Sequence, residues 1–368
     1  MHIAIVGCGQ LSRMLALAGI PLGFKFSFVA DDLGQDTRCV EQLGSVVHWH
    51  EAQTPAQLIE ALGHPDVITT EKEQIDPTLL RSLQPFCTVH PNPDAFAALQ
   101  DRSKEKQLLA ELGVPSAPHV YRESAAEAAA KLSLPLVAKS CRGGYDGKNQ
   151  QILRTAEDVA AFDDRGEHDD YIIEQWIPFE REVSIISVRG RDGSIGHYPI
   201  TENVHESGIL KHSIAPARQV PEETVHAAQQ YISRVMEATG YVGVMAMECF
   251  VVDGGLLVNE IAPRVHNSGH WTQTGCKTSQ FENHLRAIAG LPLGGTDNHS
   301  IAGMVNLIGS GVPAETALST HSTLHWYNKT ARPGRKLGHV NFCSSSHDEL
   351  LRQMDQFRQE ATVAVQDA

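Results

Sequence analysis

Apolar residues recur along this chain at two spacings. Residues 2–7 form a short, buried-type strand. A Gly7-Cys8-Gly9-Gln10 turn follows, and then Leu11, Met14, Leu15, Ala18 and Leu22 recur at the spacing of one helix face. Residues 25–30 are a second strand-like run ending at Asp31-Asp32. Residues 67–70 are a third, ending at Glu71-Lys72-Glu73. Strand, helix, strand in this order predicts the start of a parallel sheet, whose ligands bind at the carboxyl ends of its strands. Polar punctuation supports the helices between. Thr54 with Pro55 and Gln57 reads as an N-cap, first-turn proline and capping box; Ser124 with Glu127 reads as a second box. Asp101 caps a helix that runs to Leu112 and stops at Gly113. Residues 221–238 are amphipathic, with Val225, Ala228, Ile232, Val235 and Met236 on one face.

The most informative stretch is 240–271. Residues 242–252 are apolar and β-rich, 253–255 (Asp-Gly-Gly) is a turn signal, and 256–261 is a second strand, so the segment predicts an antiparallel hairpin. With a three-residue loop, Val252 faces Leu256 and Glu248 faces Glu260. Side chains so paired have Cβ atoms roughly 4.5–5.5 Å apart. Two carboxylates there repel unless a cation lies between them, and oxygen ligation with room for waters and phosphates suits Mg²⁺. A two-residue loop would shift the register and spoil the pairing. The plainer alternative is two edge glutamates facing water. After Glu260 the chain turns polar through Arg264, His266, Asn267, Ser268 and His270. This is an ordinary loop residue by residue, but a site when taken as a cluster beside suspected metal ligands.

Two further stretches carry charge. Residues 134–139 are a strand ending in Lys139. The loop that follows, 140–150, holds Gly143, Gly144 and Gly147 with Arg142 and Lys148, which suits a polyphosphate without matching a Walker A sequence. Residues 324–329 and 337–339 flank a basic turn with Arg332, Arg335 and Lys336, either a solvated turn or an anion clamp. The tail beyond Ser344 is polar and helix-prone.

Composition narrows the class. At 368 residues the chain predicts two or three domains. A net charge of −14 argues against general nucleic-acid binding. Seven scattered cysteines without a CxxC signal neither zinc nor a disulfide framework, and fit a reducing cytoplasm. The N-terminus reads as a strand rather than a signal peptide, and no stretch is long enough to span a membrane. The glycine turn invites a dinucleotide reading, with Asp31 or Asp32 on a ribose, but Ser12 stands where the third glycine of GxGxxG belongs.

With those residues in view, the sequence resembles the ATP-grasp superfamily, and within it the N5-carboxyaminoimidazole ribonucleotide synthetase branch. The motifs are GCGQLSRM from Gly7, GGYDGKNQ from Gly143, GYVGVMAMECF from Gly240, NEIAPRVHNSGHWT from Asn259, and LHWYNK with RPGRKLGHVN from Leu324. Ser12 and Asn149 depart from glycines common in the family. The resemblance implies a mixed α/β ATP-grasp fold: an N-terminal parallel α/β domain over 1–100, a small lid over 101–178, and a C-terminal antiparallel-sheet domain over 179–368. It implies ATP and Mg²⁺ (or Mn²⁺) as cofactors, 5-aminoimidazole ribonucleotide and bicarbonate as substrates, and a homodimer in the cytoplasm. Arg102 and Lys139 would contact nucleotide phosphates. Gly144, Tyr145, Asp146, Gly147, Lys148, Asn149 and Gln150 would close over them. Glu174, Gln175, Trp176 and Ile177 would recognise adenine, Glu182 the ribose, and His205 and Asn259 would border ATP. Glu248 and Glu260 match the metal ligands. Tyr145, Asp146, Arg264, His266 and Lys336 would act at the reacting carboxylate and amine. Gln10, Leu11, Glu73, Asn267, Ser268, Lys329 and Arg335 would hold the ribonucleotide. A sister ATP-grasp ligase using formate or an amino acid, and a silent nucleotide-binding module, are the nearest alternatives; intact Lys139, Glu248 and Glu260 speak against the second.

Overall fold

A computed structural model of the chain describes residues 1–49, 54–144, 149–166, 170–309, 317–319 and 321–366. Three sheets organise it. The first is parallel: β1 (His2–Val6), β2 (Lys25–Ala30), β3 (Ser45–His48), β4 (Val67–Thr70) and β5 (Thr88–Val89), in the order β3-β2-β1-β4-β5. β1 and β4 are buried almost throughout, as a sheet covered on both faces requires. Helix α1 (Gln10–Gly19) follows β1. It is succeeded by α2 (Pro55–Ala61), α3 (Pro77–Leu83) and α4 (Pro93–Leu99), each with proline in its first turn and a side-chain cap from Thr54, Asp76 or Asn92.

Helix α5 (Arg102–Glu111), capped by Asp101, leads into a small antiparallel sheet. Its strands are β6 (His119–Tyr121), β7 (Leu136–Ser140), β8 (Gln150–Leu153) and β9 (Tyr171–Gln175), ordered β6-β9-β7-β8. Helices α6 (Ala125–Lys131) and α7 (Ala156–Asp163) cover it; Ala125, Ala128, Val159 and Phe162 join Leu136, Ala138 and Ile173 in one cluster. The Ser124–Glu127 capping box is present.

The third sheet has nine strands: β10 (Arg181–Arg189), β11 (Ile195–His197), β12 (Thr201–Glu206), β13 (Ile209–Ala215), β14 (Gly243–Val252), β15 (Gly255–Ala262), β16 (Ile301–Ile308), β17 (Ser322–Trp326) and β18 (Lys336–Ser344). The path runs β15-β14-β10-β12-β13-β16-β18-β17, with β11 beside β10. Helix α8 (Glu222–Ala238) buries Ala228, Ile232, Val235 and Met236 against one face, with Val225 partly buried. Helices α9 (Thr272–Gly275) and α10 (Gln280–Ala289) lie on the other. The terminal helix α11 (His347–Gln366) packs Leu350, Met354 and Phe357 against β16 and β18. The polar tail is therefore part of the core of this sheet, its apolar residues returning at helical spacing. Among the described residues no helix is long and apolar enough to cross a membrane.

The hairpin departs from expectation in an instructive way. Its loop is two residues, not three: Val252 pairs with Gly255, and Asp253 and Gly254 both take positive φ, +49° and +75°. That is the turn whose twist suits a hairpin. Such a loop alone would spoil the Glu248–Glu260 pairing. A β-bulge restores it: Cys249 pairs with Val258, Asn259 is the extra residue, and Glu248 pairs with Glu260.

The first and third sheets are pegged by His284 on α10. Its Nδ1 accepts the Val244 N–H at 3.1 Å, so its Nε2 proton goes to Thr69 Oγ1 at 2.9 Å. Burial holds this imidazole neutral, its pKa down at about 3. Replacing His284 with Leu leaves the buried Val244 amide and Thr69 hydroxyl unpaired, and each such group costs about 1–3 kcal/mol. The expected result is a fall of that order in unfolding free energy by urea denaturation; an unchanged midpoint would count against the peg.

Candidate active site

One face of the third sheet gathers the acidic and polar residues. Across β15, β14 and β10 a single row reads Glu260, Glu248, Ser184, and the next row pairs Glu182 with Asn203 on β12. Glu248, Glu182, Asn203 and His205 line a small cleft together with Val183, Cys249, Phe250 and Asn259. His205 forms an ion pair with Glu182. Burial lowers the affinity of His205 for a proton, but its bond to Glu182 and the nearby Glu248 outweigh this and raise its pKa.

The small sheet and α5 close the cleft with cations. Lys139 on β7 donates to Glu174 at 2.6 Å and to Asn259 Oδ1 at 2.8 Å, so it bridges the small sheet and the hairpin. Arg102 donates to Glu260 at 2.8 Å. Glu174, expected at an adenine-recognition strand, is buried, with its carboxylate between Lys139 and Lys106 (2.6 and 3.2 Å). Burial alone would raise its pKa, but the two ammonium groups take it down to about 2. Next along the chain, the Gln175 amide group donates to Ser133, and Arg154 stacks over Trp176 at 5.6 Å. Asn149 takes φ +58°, a left-handed conformation that asparagine tolerates better than most residues, and its side-chain amide donates to Gly143 O. Tyr145, Asp146, Gly147 and Lys148 lie outside the described residues.

The post-strand loop turns back over the same row. His266 Nε2 faces Glu248 Oε1 at 3.6 Å. Its other nitrogen ends a chain of donors: Ser213 Oγ to Asn203 Oδ1, Asn203 Nδ2 to Ser184 Oγ, and Ser184 Oγ to Ser268 Oγ at 2.8 Å. Ser268 Oγ lies 2.9 Å from His266 Nδ1. Having accepted from Ser184, the Ser268 hydroxyl points its proton at Nδ1, which leaves the imidazole proton on Nε2. Burial, then the charge of Arg264, holds His266 well below the ordinary histidine range, so it is a neutral donor aimed at the carboxylate row. Asn267 exchanges two side-chain bonds with Asn306, at 3.1 and 2.8 Å.

The N-terminal sheet meets this loop through polar pairs. Arg264 is bound to Glu73, Lys329 to Gln10, and Arg335 to Asp36 at 3.0 Å. The Leu11 side chain packs in the core. Lys336 opens β18, and its charge acts on His205 and His266; Arg332 is exposed. The glycine turn is filled from within. Glu71 accepts the N–H groups of Gly9 and Ser12 (2.9 Å for Ser12), occupying the helix N-terminus where a pyrophosphate would sit. A Cβ on Gly9 would lie 2.8 Å from Glu71 Oε1, and Ser12 closes the turn by donating to Gly7 O. Asp31 and Asp32 are paired with Lys72 at 2.6 and 2.7 Å. The groups a dinucleotide would need are thus committed to one another.

Three family models match in succession: the ribonucleotide synthetase preATP-grasp domain over residues 1–100, the ATP-grasp domain over 107–281, and the phosphoribosylaminoimidazole carboxylase C-terminal domain over 302–353. A protein of Vibrio parahaemolyticus, N5-carboxyaminoimidazole ribonucleotide synthase, is 42% identical across 96% of this chain and 94% of its own. The chain belongs to the N5-carboxyaminoimidazole ribonucleotide synthase family. The crystal structure of the Thermus thermophilus member superposes with a TM-score of 0.90 at 40% identity, covering 98% of each chain. A member from Aspergillus clavatus, crystallised with ADP and 5-aminoimidazole ribonucleotide, superposes at 0.87 with 28% identity over 98% of each chain.

Within this synthase framework the donor set fits a hard dication. The facing groups are two partly buried carboxylates, and among the described residues no trio of His, Cys, Asp or Glu is arranged to hold a metal. Two carboxylates with waters or phosphate oxygens are a ligand set of the kind that suits Mg²⁺. Burial and the charge of Glu260 push Glu248 up to about 7; burial would raise Glu260 too, but Arg102 outweighs it and holds Glu260 below the ordinary value. The pair thus carries a cost of double ionisation that a cation would remove. Sequence reasoning missed Lys106, Glu105 and Glu71. A charged residue on a short helix reads as solvent-facing; the one available signal was that Arg102, Glu105 and Lys106 share a helix face.

Without metal, the raised pKa of Glu248 means the folded protein binds more protons than the unfolded chain between about 4.5 and 7, so stability falls as pH rises through that window. Glu248→Gln removes the effect. In EDTA the variant should be more stable than the parent at pH 8 and equal to it at pH 4, by urea unfolding; an equal difference at both would contradict the facing like-charge pair.

Proposed function

We propose that this protein carboxylates 5-aminoimidazole ribonucleotide with bicarbonate at the expense of ATP, giving N5-carboxyaminoimidazole ribonucleotide, ADP and phosphate in purine synthesis. The observation that carries the reading is the Glu248–Glu260 pair, aligned by the bulge beside Lys139, in a chain of this family. An oxygen of bicarbonate attacks the γ-phosphorus and the bond to the β-phosphate oxygen breaks, leaving ADP and carboxyphosphate. Carboxyphosphate then releases phosphate and CO₂ beside the amine. The amine nitrogen attacks carbon and gives its proton to the departing phosphate.

Such a transfer needs positioning and charge neutralisation more than covalent help from protein. Lys139 and Arg102 hold the phosphates, exchanging part of their present partners for them. Residues 144–150 close over them, which also keeps water from a labile intermediate. Residues 174–177 take adenine, Glu182 the ribose, and His205 and Asn259 border the nucleotide. Glu248 and Glu260 would hold Mg²⁺ (or Mn²⁺), which would supply neutralisation of the phosphate charge that develops during transfer. His266, a neutral Nε2–H donor, and Arg264 face the carboxylate end, where a guanidinium fork can grip two oxygens. Tyr145, Asp146 and Lys336 serve the acceptor amine and its surroundings. Gln10, the Leu11 backbone, Glu73, Asn267, Ser268, Lys329 and Arg335 bind the ribonucleotide. In this division 1–100 is the substrate-side domain, 101–178 the lid and 179–368 the metal domain of a cytoplasmic homodimer.

Phosphate release from ATP should require both bicarbonate and the ribonucleotide; release indifferent to the ribonucleotide would overturn the assignment. Glu248→Gln and Glu260→Gln should each abolish turnover in folded protein. Arg264→Lys should keep ATP binding and lose about 10²–10³ in kcat, the usual cost of one transition-state donor. Near-normal turnover at saturating bicarbonate would mean that Arg264 serves only its ion pair with Glu73.

A further inference from the structure

The ammonium group of Lys106 has no solvent exposure, and every bond it makes is internal. It donates to the carbonyls of Val258 at 3.2 Å and Asn259 at 2.9 Å, and lies 3.2 Å from Glu174 Oε1. Its neighbour Glu105, also buried, accepts the Ile261 N–H at 2.9 Å. Arg102, one turn earlier on the same face of α5, holds the Glu260 carboxylate. Three side chains of one helix thus grip residues 258–261 on both sides of the bulge. A bulge interrupts the ladder and strands backbone groups that must find partners when buried. The partners here are a cation for two carbonyls and a carboxylate for one amide.

We propose that Lys106 and Glu105 are positioning residues for catalysis: a clamp on the Asn259 bulge that keeps Glu260 opposite Glu248 for the divalent cation and holds Asn259 against Lys139. Without the bulge the two-residue turn sets a register in which Glu260 moves off Glu248, because a one-residue slip turns a side chain to the other face. The inference rests on Glu248 and Glu260 being the cation pair. The competing account is a buried ion pair with Glu174 that serves the fold alone.

The test uses the full chain with Lys106→Met and Glu105→Met. Free Mn²⁺ is counted by electron paramagnetic resonance in the presence of ADP, AMP binding is measured by calorimetry in EDTA, and thermal melting checks the fold. The folded variants should lose about 10-fold or more in Mn²⁺ affinity, the usual range when a group supporting a metal ligand is removed, with AMP affinity unchanged. Folded variants that bind Mn²⁺ like the parent, or lose Mn²⁺ and AMP in equal measure, overturn the clamp. If Lys106→Met does not fold, Glu105→Met decides; if neither folds, the residues serve the core and the proposal is wrong. A parent protein that takes up no Mn²⁺ with ADP overturns the cation assignment itself, and the clamp with it.

Discussion

Glu248 and Glu260 face each other from adjacent strands, partly buried, close enough that each makes the other costlier to ionise. The surroundings are arranged around that conflict. Arg102 takes one carboxylate, His266 presents an N–H toward the other, and Lys139 is brought alongside by Asn259. A cation and a polyphosphate together would settle the remaining charge. The fold keeps the conflict in place through backbone geometry, since a β-bulge sets which residues are opposite.

The N-terminal sheet plays a different part from the one its glycine turn advertises. Its helix N-terminus is already occupied by Glu71, so the turn is closed to an external anion. What the sheet contributes lies at its strand ends: Glu73, Gln10 and Asp36 reach across to Arg264, Lys329 and Arg335. These are polar pairs at the seam between the first and third sheets.

Much of this was legible in the sequence, though not always for the right reason. Residues 25–30 and 67–70 are strands as their apolar runs predict, and the Thr54 and Ser124 capping boxes form as spaced. The facing glutamates were anticipated from a three-residue loop. The structure reaches the same pairing through a shorter turn and one inserted residue, two displacements that cancel. Nothing in the pattern marks Asn259 as a bulge, because one polar residue in a half-buried strand also fits simple alternation. Lys106 and Glu105 escaped because burial of a charge is decided by its tertiary partners. The terminal helix escaped because Leu350, Met354 and Phe357 are sparse among polar residues, although their spacing is helical.

The account stands on bicarbonate attacking ATP at this site. The most direct measurement is the fate of oxygen from ¹⁸O-labelled bicarbonate during turnover with the ribonucleotide. Attack on the γ-phosphorus leaves a bicarbonate oxygen on phosphorus when carboxyphosphate breaks down, so the account predicts one ¹⁸O in each inorganic phosphate released. Unlabelled phosphate, formed at the same rate as the carboxylated product, would contradict it.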